Sequence, residues 1–250
     1  MGDARIHIGT SGFSYKDWQG NFYPDFLSAR DYLRYYASQF RSVEIDSTFY
    51  RIPSAEMVAK WKDATPADFV FAAKFPRMVT HEGDLSERMD SAARFVEVMR
   101  LLDTKLGPLL LQFPYSFKPD QRDLLARLIE AMPDDIPVSV ELRNKAWLGD
   151  ELFDLLRRHN RPLCLIDHPW MPRLSVQTGP FQYIRLLGDR KKIENDFSYI
   201  RDDREADLGH WQDVISGAAQ GGADVFVYVN NHYSGHSPST ARRLLALLNS

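Results

Sequence analysis

The side chains with most chemical potential in this sequence are charged residues placed within or just after short apolar runs. Across residues 42–48 apolar and acidic residues alternate with the two-residue period of a β-strand, and the acidic ones are Glu44 and Asp46. A strand that lies between two helices belongs to a parallel sheet, which is covered on both faces. We therefore expect Glu44 and Asp46 to face the interior of a closed sheet, where a carboxylate could serve as an acid, a base or a hydrogen-bond acceptor.

The same arrangement recurs along the chain. The polar residues at or near the ends of other apolar runs are Lys74, Gln112, Glu141, Arg143, Asp167, Arg185, Asn230 and Asn231. In a barrel of alternating strands and helices, the C-terminal strand ends form the catalytic face. Internal salt bridges are the alternative, but burying each ion costs several kcal/mol, so stability alone gives no reason for so many. The pattern favours a ligand or catalytic site.

Aromatic residues follow several of these runs, and together they could wall a pocket by stacking on a sugar or a base. Each ring could equally serve packing alone. These aromatic residues are Tyr15, Trp18, Phe49, Tyr50, Trp147 and Tyr233. Before Tyr15, the backbone amides and hydroxyls of Thr10 and Ser11 could hold an anion, although the segment matches neither the Walker nor the dinucleotide-binding motif.

The elements that must position these residues are eight predicted strands with helical segments between most of them. The predicted strands are 5–10, 42–48, 69–75, 108–113, 137–142, 162–167, 181–187 and 224–230. This count predicts an α/β fold, a (β/α)8 TIM-type barrel formed by residues 1–250 as a single domain, with a doubly wound open sheet as the alternative. Residues 168–180 contain too many prolines and glycines for a full helix, so we expect the barrel to be irregular around strands 6 and 7.

Two of the helix starts carry specific signals. Asp84 and Glu87 have the spacing of a capping box. Ser237 followed by Pro238 predicts an N-cap and first turn for the last helix.

Composition limits the functional classes. The 31 basic and 34 acidic residues nearly balance, so no global field recruits nucleic acid or a membrane. Cys164 is the single cysteine, which excludes an internal disulfide, and its apolar run predicts a buried, inert thiol in a reducing compartment. The sequence shows neither a signal core nor an apolar run of about 18 residues. We predict a soluble, cytoplasmic protein. The charged segment 189–205 is predicted to be a solvated loop, and a lid over the site is the alternative.

A set of motifs runs from end to end of the chain, at residues 9–15, 22–24, 43–50, 71–76, 80–81, 111–114, 141–143 with Trp147, 185–188 and 230–233. In these motifs the chain resembles the YecE-like family, a TIM-barrel domain of unknown function. The resemblance implies a TIM-type barrel and leaves the reaction open. The chain departs from the family pattern at Phe13, where Trp is more frequent, and at Leu187, where His is frequent and could carry a proton.

The first functional hypothesis is an enzyme, a hydrolase or lyase, acting on a small anionic or sugar-like ligand without a cofactor. Glu44, Glu141 and Lys74 are the predicted catalytic residues, with a glutamate as general acid or base. The predicted substrate-binding residues are Thr10, Ser11, Tyr15, Asp46, Phe49, Tyr50, Gln112, Arg143, Trp147, Asp167, Arg185, Asn230 and Asn231. A glycosidase could use the same residues, with the carboxylate separation setting the stereochemistry.

Two further hypotheses stay open. A metal-dependent phosphoesterase, similar to barrel endonucleases, could draw its ligands from Glu44, Glu141, Asp167, His168 and His232. No strict metal motif is present, and the neighbouring cationic side chains would repel a metal ion, so we predict no metal site. A non-catalytic binder of nucleic acid or another polyanion is the third hypothesis, and the slightly acidic chain disfavours it.

Overall fold

The computed structural model of the chain describes residues 4–249, in which eight strands alternate with helices. The strands are β1 Ile6–Thr10, β2 Ser42–Ile45, β3 Val70–Lys74, β4 Leu106–Phe113, β5 Val138–Leu142, β6 Cys164–Asp167, β7 Phe181–Leu186 and β8 Asp224–Val229. Every predicted strand is therefore found, with small shifts at its ends.

The helices also follow the predicted pattern. They are α1 Tyr32–Gln39, α2 Ala55–Asp63, α3 Arg77–Thr80, α4 Leu85–Met99, α5 Arg122–Glu130, α6 Asp150–Arg158, α7 Glu205–Gln220, α8 Asn231–Ser234 and α9 Ser237–Leu248, with a short 3-10 helix at Ser47–Phe49. Between β6 and β7 the structure forms no helix, as the prolines predict. Within residues 4–249, no helix combines the length and apolar character needed to cross a membrane.

The strands are arranged in two four-stranded sheets, with the orders β1-β8-β7-β6 and β2-β3-β4-β5. The pairs β1–β8, β7–β8, β3–β4 and β4–β5 are parallel. Isolated bridges add to them, among which Ser11 pairs with Glu44 and Val140 pairs with Leu163. The described residues thus form an α/β fold with parallel sheets, and the predicted closure into an eightfold barrel is not confirmed, because one continuous ladder does not join these eight strands.

The contacts of the chain cluster in two compact units. The terminal unit comprises residues up to Glu44, then Leu165–Ser175, then the chain from Phe181 onward. The central unit comprises Ile45–Cys164 with Val176–Pro180. Whether the chain behaves as one domain stays a prediction.

Local signals explain how the helices begin. Asp84 accepts from the Glu87 amide, and Glu87 bonds back to the Asp84 amide, which confirms the predicted capping box of α4. The N-cap of α9 differs from prediction, because Ser237 already lies in the helix and His236 Nδ1 accepts from the Ser239 amide. A histidine acts here in the role that Ser usually fills.

Burial on both faces is what makes the strand ends unusual. All five residues of β5 are buried, as expected for a parallel strand covered on both sides. Val138 and Val140 contribute to the apolar core, and Ser139 and Glu141 alternate with them. The fold therefore holds Glu141 at the strand's C-terminal end with none of its surface exposed.

Candidate functional site

In the central unit, the buried carboxylate of Glu141 is paired with the partly exposed guanidinium of Arg143. The Nε of Arg143 donates to Oε1 of Glu141 at 2.6 Å. Glu141 is fully buried, whereas 37% of the Arg143 side chain is exposed. The pair joins a carboxylate in the interior to a guanidinium that reaches solvent, and the bond does not use the two terminal nitrogens of that guanidinium.

The second oxygen of Glu141 also has a neighbour. The Cys164 thiol lies 3.9 Å from Oε2, a long contact of the kind that a weak S–H donor makes. Cys164 is buried, as predicted, but it contacts a candidate catalytic group rather than only apolar side chains. Sequence reasoning missed this contact, because the two residues are separated by 23 positions.

Lys74 ends β3 in an aromatic setting. Its Nζ lies 3.6 Å from the centroid of the Phe49 ring, a cation–π contact, and only 8% of Lys74 is exposed. The Thr48 hydroxyl donates to the carbonyl oxygen of Lys74 at 2.6 Å, which anchors the Ser47–Phe49 turn to the end of β3. The strand end thus fixes both the ammonium and the ring beneath it.

His81 completes this group. Its ring lies 5.0 Å from the Phe49 ring in an edge-on orientation, and its Nδ1 is 2.8 Å from the Thr80 hydroxyl. Burial, followed by the positive charges of Lys74, Arg143, Arg77 and Arg88, lowers the pKa of His81 to about 4. His81 is therefore neutral at pH 7 in a region of positive potential. Its place in the Thr80-His81 motif was a signal, but it was not among the predicted site residues.

The other predicted residues of the central unit have varied roles. Gln112 lies beside Glu141 in the β4–β5 register, and its Nε2 donates to the Phe113 carbonyl at 2.6 Å. Asp46 is half-buried directly before the Ser47–Phe49 turn, and Tyr50 directly after it is exposed.

Trp147 has a packing contact instead. Its indole N–H donates to the Phe117 carbonyl at 2.9 Å, and the two rings stack with centroids 5.2 Å apart. Trp147 is buried, so in this structure it fastens the segment after β5 to the segment after β4.

In the terminal unit, Glu44 is held by two donors. The hydroxyl of Tyr183 donates to Oε2 at 2.7 Å, and Nη2 of Arg185 donates to Oε1 at 2.8 Å. All three side chains are buried. Tyr183 was not predicted, although it precedes Arg185 by two residues and so shares its face of β7. Burial raises the pKa of Tyr183, and the charge of Glu44 raises it further, so Tyr183 acts as a donor.

The end of β1 and the segment after it contain two internal side-chain hydrogen bonds. Thr10 donates from Oγ1 to the Gly12 carbonyl at 2.6 Å, and the Tyr15 hydroxyl donates to the Ser11 carbonyl at 2.8 Å. The Ser11 hydroxyl is buried without a hydrogen-bond partner in the described structure. Of this predicted anion-binding group, Ser11 is the member whose side chain is left to meet a ligand or a water molecule.

Asn230 and Asn231 organise the turn after β8. Asn230 accepts the His232 amide at 3.1 Å and so caps α8. Asn231 is buried, and its Oδ1 accepts from the Trp18 indole at 3.2 Å and from the Ser237 hydroxyl at 2.7 Å. Both amide side chains thus position backbone segments.

Asp167, at the end of β6, is the centre of a dense polar network in the terminal unit. Its Oδ2 accepts from the Trp211 indole at 2.8 Å and from the Tyr233 hydroxyl at 3.1 Å. Arg173 approaches the same oxygen at 3.0 Å, and Arg204 lies 3.6 Å from Oδ1. The guanidinium of Arg204 also stacks over the Tyr233 ring at 4.5 Å. Asp167 therefore joins four separate side chains.

The structure thus sorts the predicted residues by unit. One cluster lies around the C-terminal strand ends of the central unit and contains Lys74, Phe49, Glu141 and Arg143. In this cluster the guanidinium of Arg143, the partner of Glu141, reaches solvent. Glu44 and Arg185 form a buried pair within the terminal unit. The central cluster is the better candidate for a site, because its Arg143 side chain is 37% exposed, whereas Glu44 and Arg185 are both buried.

Comparison with known sequences gives a family match over nearly the whole chain. The family model described as "Protein of unknown function DUF72" matches residues 7–250. The UPF0759 protein YunF of Bacillus subtilis is 26% identical over 269 residues, which cover 97% of this chain and 94% of that protein. The UPF0759 protein YecE of Escherichia coli K12 is 32% identical over 117 residues, which cover 47% of this chain and 43% of that protein.

Comparison with solved structures gives a match to a DUF72 family protein and more distant matches in fold. A DUF72 family protein from Thermotoga maritima superposes with a TM-score of 0.84 at 28% identity, covering 98% of this chain and all of that one. D-psicose 3-epimerase from Clostridium cellulolyticum has a TM-score of 0.57 at 10% identity, covering 97% of each chain. SacUVDE has a TM-score of 0.60 at 10% identity, covering 98% of this chain and 99% of that one. These last two are TIM-barrel-like neighbours, and they show the fold alone.

Proposed function

Because the chain belongs to the DUF72 family, which includes the YecE-like proteins it resembles and is described as of unknown function, we propose its function from its own residues. The protein is an enzyme that binds a small organic anion, a phosphate or carboxylate compound, in the central unit. Lys74 and Arg143 hold the anionic group, and Glu141 is the general acid or base. The observation that carries this proposal is the contact between the buried Glu141 carboxylate and the Arg143 guanidinium, whose side chain is 37% exposed.

Anion binding follows from the electrostatics of this cluster. Lys74 is held nearly buried over the Phe49 ring, so its charge is less screened than that of a surface lysine. Arg143 offers a planar guanidinium, whose fork of donors matches a phosphate or carboxylate. A neutral imidazole such as that of His81 can add a hydrogen bond without adding charge.

Proton transfer requires an acid or base within hydrogen-bond reach of the reacting group. Glu141 lies 2.6 Å from Arg143, so an anion bound by Arg143 brings its neighbouring atoms close to the carboxylate. The burial of Glu141 excludes bulk water from the carboxylate, which strengthens its interaction with a bound ligand. The hydrolase or lyase step that we propose uses this carboxylate.

The metal-dependent phosphoesterase has less support. Among the residues that the structure describes, no three His, Cys, Asp or Glu side chains are grouped so that they could hold a metal ion. In addition, the positive charges of Lys74, Arg77 and Arg143 act on the central cluster, and they would repel a divalent cation.

Titration calorimetry with inorganic phosphate and citrate tests the binding. We expect Lys74→Gln and Arg143→Gln each to weaken binding about tenfold, the effect of losing roughly one charge-assisted hydrogen bond. Lys60→Gln is the matched control, because Lys60 belongs to the same unit and forms an exposed pair with Glu56. Equal weakening by Lys60→Gln would contradict a specific site.

Turnover is tested separately. The protein is incubated with a mixture of sugar phosphates and hydroxy acids, and consumption is followed by proton and phosphorus NMR. Glu141→Gln should keep the affinity for phosphate within a few-fold and lose turnover. Normal turnover in this variant would remove Glu141 from the mechanism.

A further inference from the structure

The C-terminal edge of the β2-β3-β4-β5 sheet exposes large apolar side chains. Tyr50, Met78 and Tyr115 follow β2, β3 and β4, which are consecutive strands in the sheet order. Their exposed fractions are 76%, 48% and 62%. Exposed apolar groups gathered at one sheet edge mark a binding surface more often than scattered ones do.

Tyr50 is linked directly to the cationic cluster. Its ring centroid lies 5.5 Å from that of Phe49, and Lys74 Nζ lies 3.6 Å from the same Phe49 centroid. Because the two distances share one point, at most about 9 Å separates the Lys74 ammonium from the Tyr50 ring. One small molecule with a ring and a phosphate can span that distance.

The Phe49 ring cannot offer its Lys74-facing side to a ligand, because the ammonium already covers it. Tyr50 is different, since three-quarters of it is exposed. A planar ring stacked on Tyr50 would remove water from both rings and gain stacking energy.

We propose that the ligand of this site carries a planar ring beside its anionic group, and that Tyr50 stacks on this ring. The inference rests on the proposed function and specifies its substrate class as aryl phosphates or mononucleotides. Charge supports a small anion over an apolar protein segment as the occupant, since exposed Arg51 follows Tyr50 and exposed Arg77 precedes Met78.

Calorimetry with four probes tests the inference: inorganic phosphate, glycerol 3-phosphate, phenyl phosphate and adenosine monophosphate. We expect at least one ring-bearing phosphate to bind about tenfold more tightly than glycerol 3-phosphate. A gain for both ring compounds would show that an aryl ring suffices, and a gain for the nucleotide alone would assign the ring to a nucleoside. Both outcomes support the proposal.

Tyr50→Leu is the decisive variant, because it keeps an apolar side chain and removes the ring. It should abolish the preference for ring compounds and leave the affinity for inorganic phosphate within twofold. Phe26→Leu removes a ring that is 89% exposed in the terminal unit and should leave the preference intact. A preference that survives Tyr50→Leu would overturn the inference.

Other results separate the failure of this inference from that of the proposed function. If wild-type protein binds all four phosphates equally and Lys74→Gln weakens all of them, the anion site stands and the ring contact is wrong. If wild-type protein binds none of them, the proposed function fails as well. A self-association that Tyr50→Leu abolishes, measured by sedimentation, would assign the ring to a second copy of the chain and overturn the inference.

Discussion

Arg143 donates to Glu141 at 2.6 Å, and the two members of this pair differ sharply in their access to water. The carboxylate is fully buried, whereas more than a third of the guanidinium side chain is exposed. In the proposed site an incoming anion therefore meets Arg143 first, and the Glu141 carboxylate is the next group inward, 2.6 Å from the guanidinium. The proposed general acid or base is therefore adjacent to the proposed anion-binding group.

Removing the Arg143 guanidinium should destabilise the protein, because the buried carboxylate of Glu141 then loses its charge partner. We expect Arg143→Met to lower the free energy of unfolding by about 1–3 kcal/mol, less than for a fully buried pair because Arg143 is partly solvated. Urea denaturation at pH 7 measures the change. The double variant Glu141→Gln, Arg143→Met should lose less than the sum of the single variants. Additive losses would show that the two residues are not coupled.

Removing the arginine of the Glu44–Arg185 pair in the terminal unit should lower the free energy of unfolding by a larger amount. Glu44 and Arg185 are both buried, so we expect Arg185→Met to cost about 3–5 kcal/mol, because the carboxylate loses its charge partner. Tyr183→Phe removes one hydrogen bond to the same carboxylate and should cost about 1–3 kcal/mol. Tyr199→Phe is the matched control, because that hydroxyl belongs to an exposed residue, and it should cost less than about 0.5 kcal/mol. A loss for Tyr183→Phe no larger than this control would contradict the assigned bond.

The sequence predicted the elements better than it predicted what the polar side chains do. Periodicity located the strands and placed Glu44, Lys74 and Glu141 near their ends, because alternation and burial are local properties. Periodicity could not identify the hydrogen-bond partners of the polar side chains. Asp167 is one example, since its indole donor, Trp211, lies 44 residues further on. Trp147 is another, because the carbonyl that binds its indole lies 30 residues earlier. Long-range hydrogen bonds leave no periodic trace.

Asp167 should stabilise the segment before α7, because it binds Arg204 at the end of that segment. The Asp167→Asn substitution removes the charge that Arg173 and Arg204 approach, so we expect the free energy of unfolding to fall by about 2–4 kcal/mol. Backbone amides around residue 204 should also exchange hydrogen faster, because Arg204 loses one of its anchors. Hydrogen exchange with mass spectrometry measures this. Asp213→Asn, at an exposed position of α7, is the control. Equal exchange in both variants would contradict this stabilisation.

The stability of the protein should also depend on pH through His236. This residue is buried and caps α9 through Nδ1, and burial followed by the charge of Arg242 lowers its pKa to about 4. In the unfolded chain its pKa returns to about 6.5. Between these two values the unfolded state binds more protons than the folded state, so stability rises with pH. Acidification from about pH 6.5 to about pH 4 should therefore destabilise the protein, and His81, whose pKa is also about 4, adds a share of the same sign.

The substitution His236→Asn isolates the contribution of the cap. Asparagine is a good N-cap and does not titrate in this range, so α9 should keep its first turn at pH 7. We expect the variant to lose less stability than wild-type protein between pH 6.5 and pH 4, by up to about 3 kcal/mol, and to retain the share due to His81. Urea midpoints measured at half-unit intervals of pH provide the comparison. Parallel pH profiles for the two proteins would show that the His236 imidazole is not held neutral by the fold.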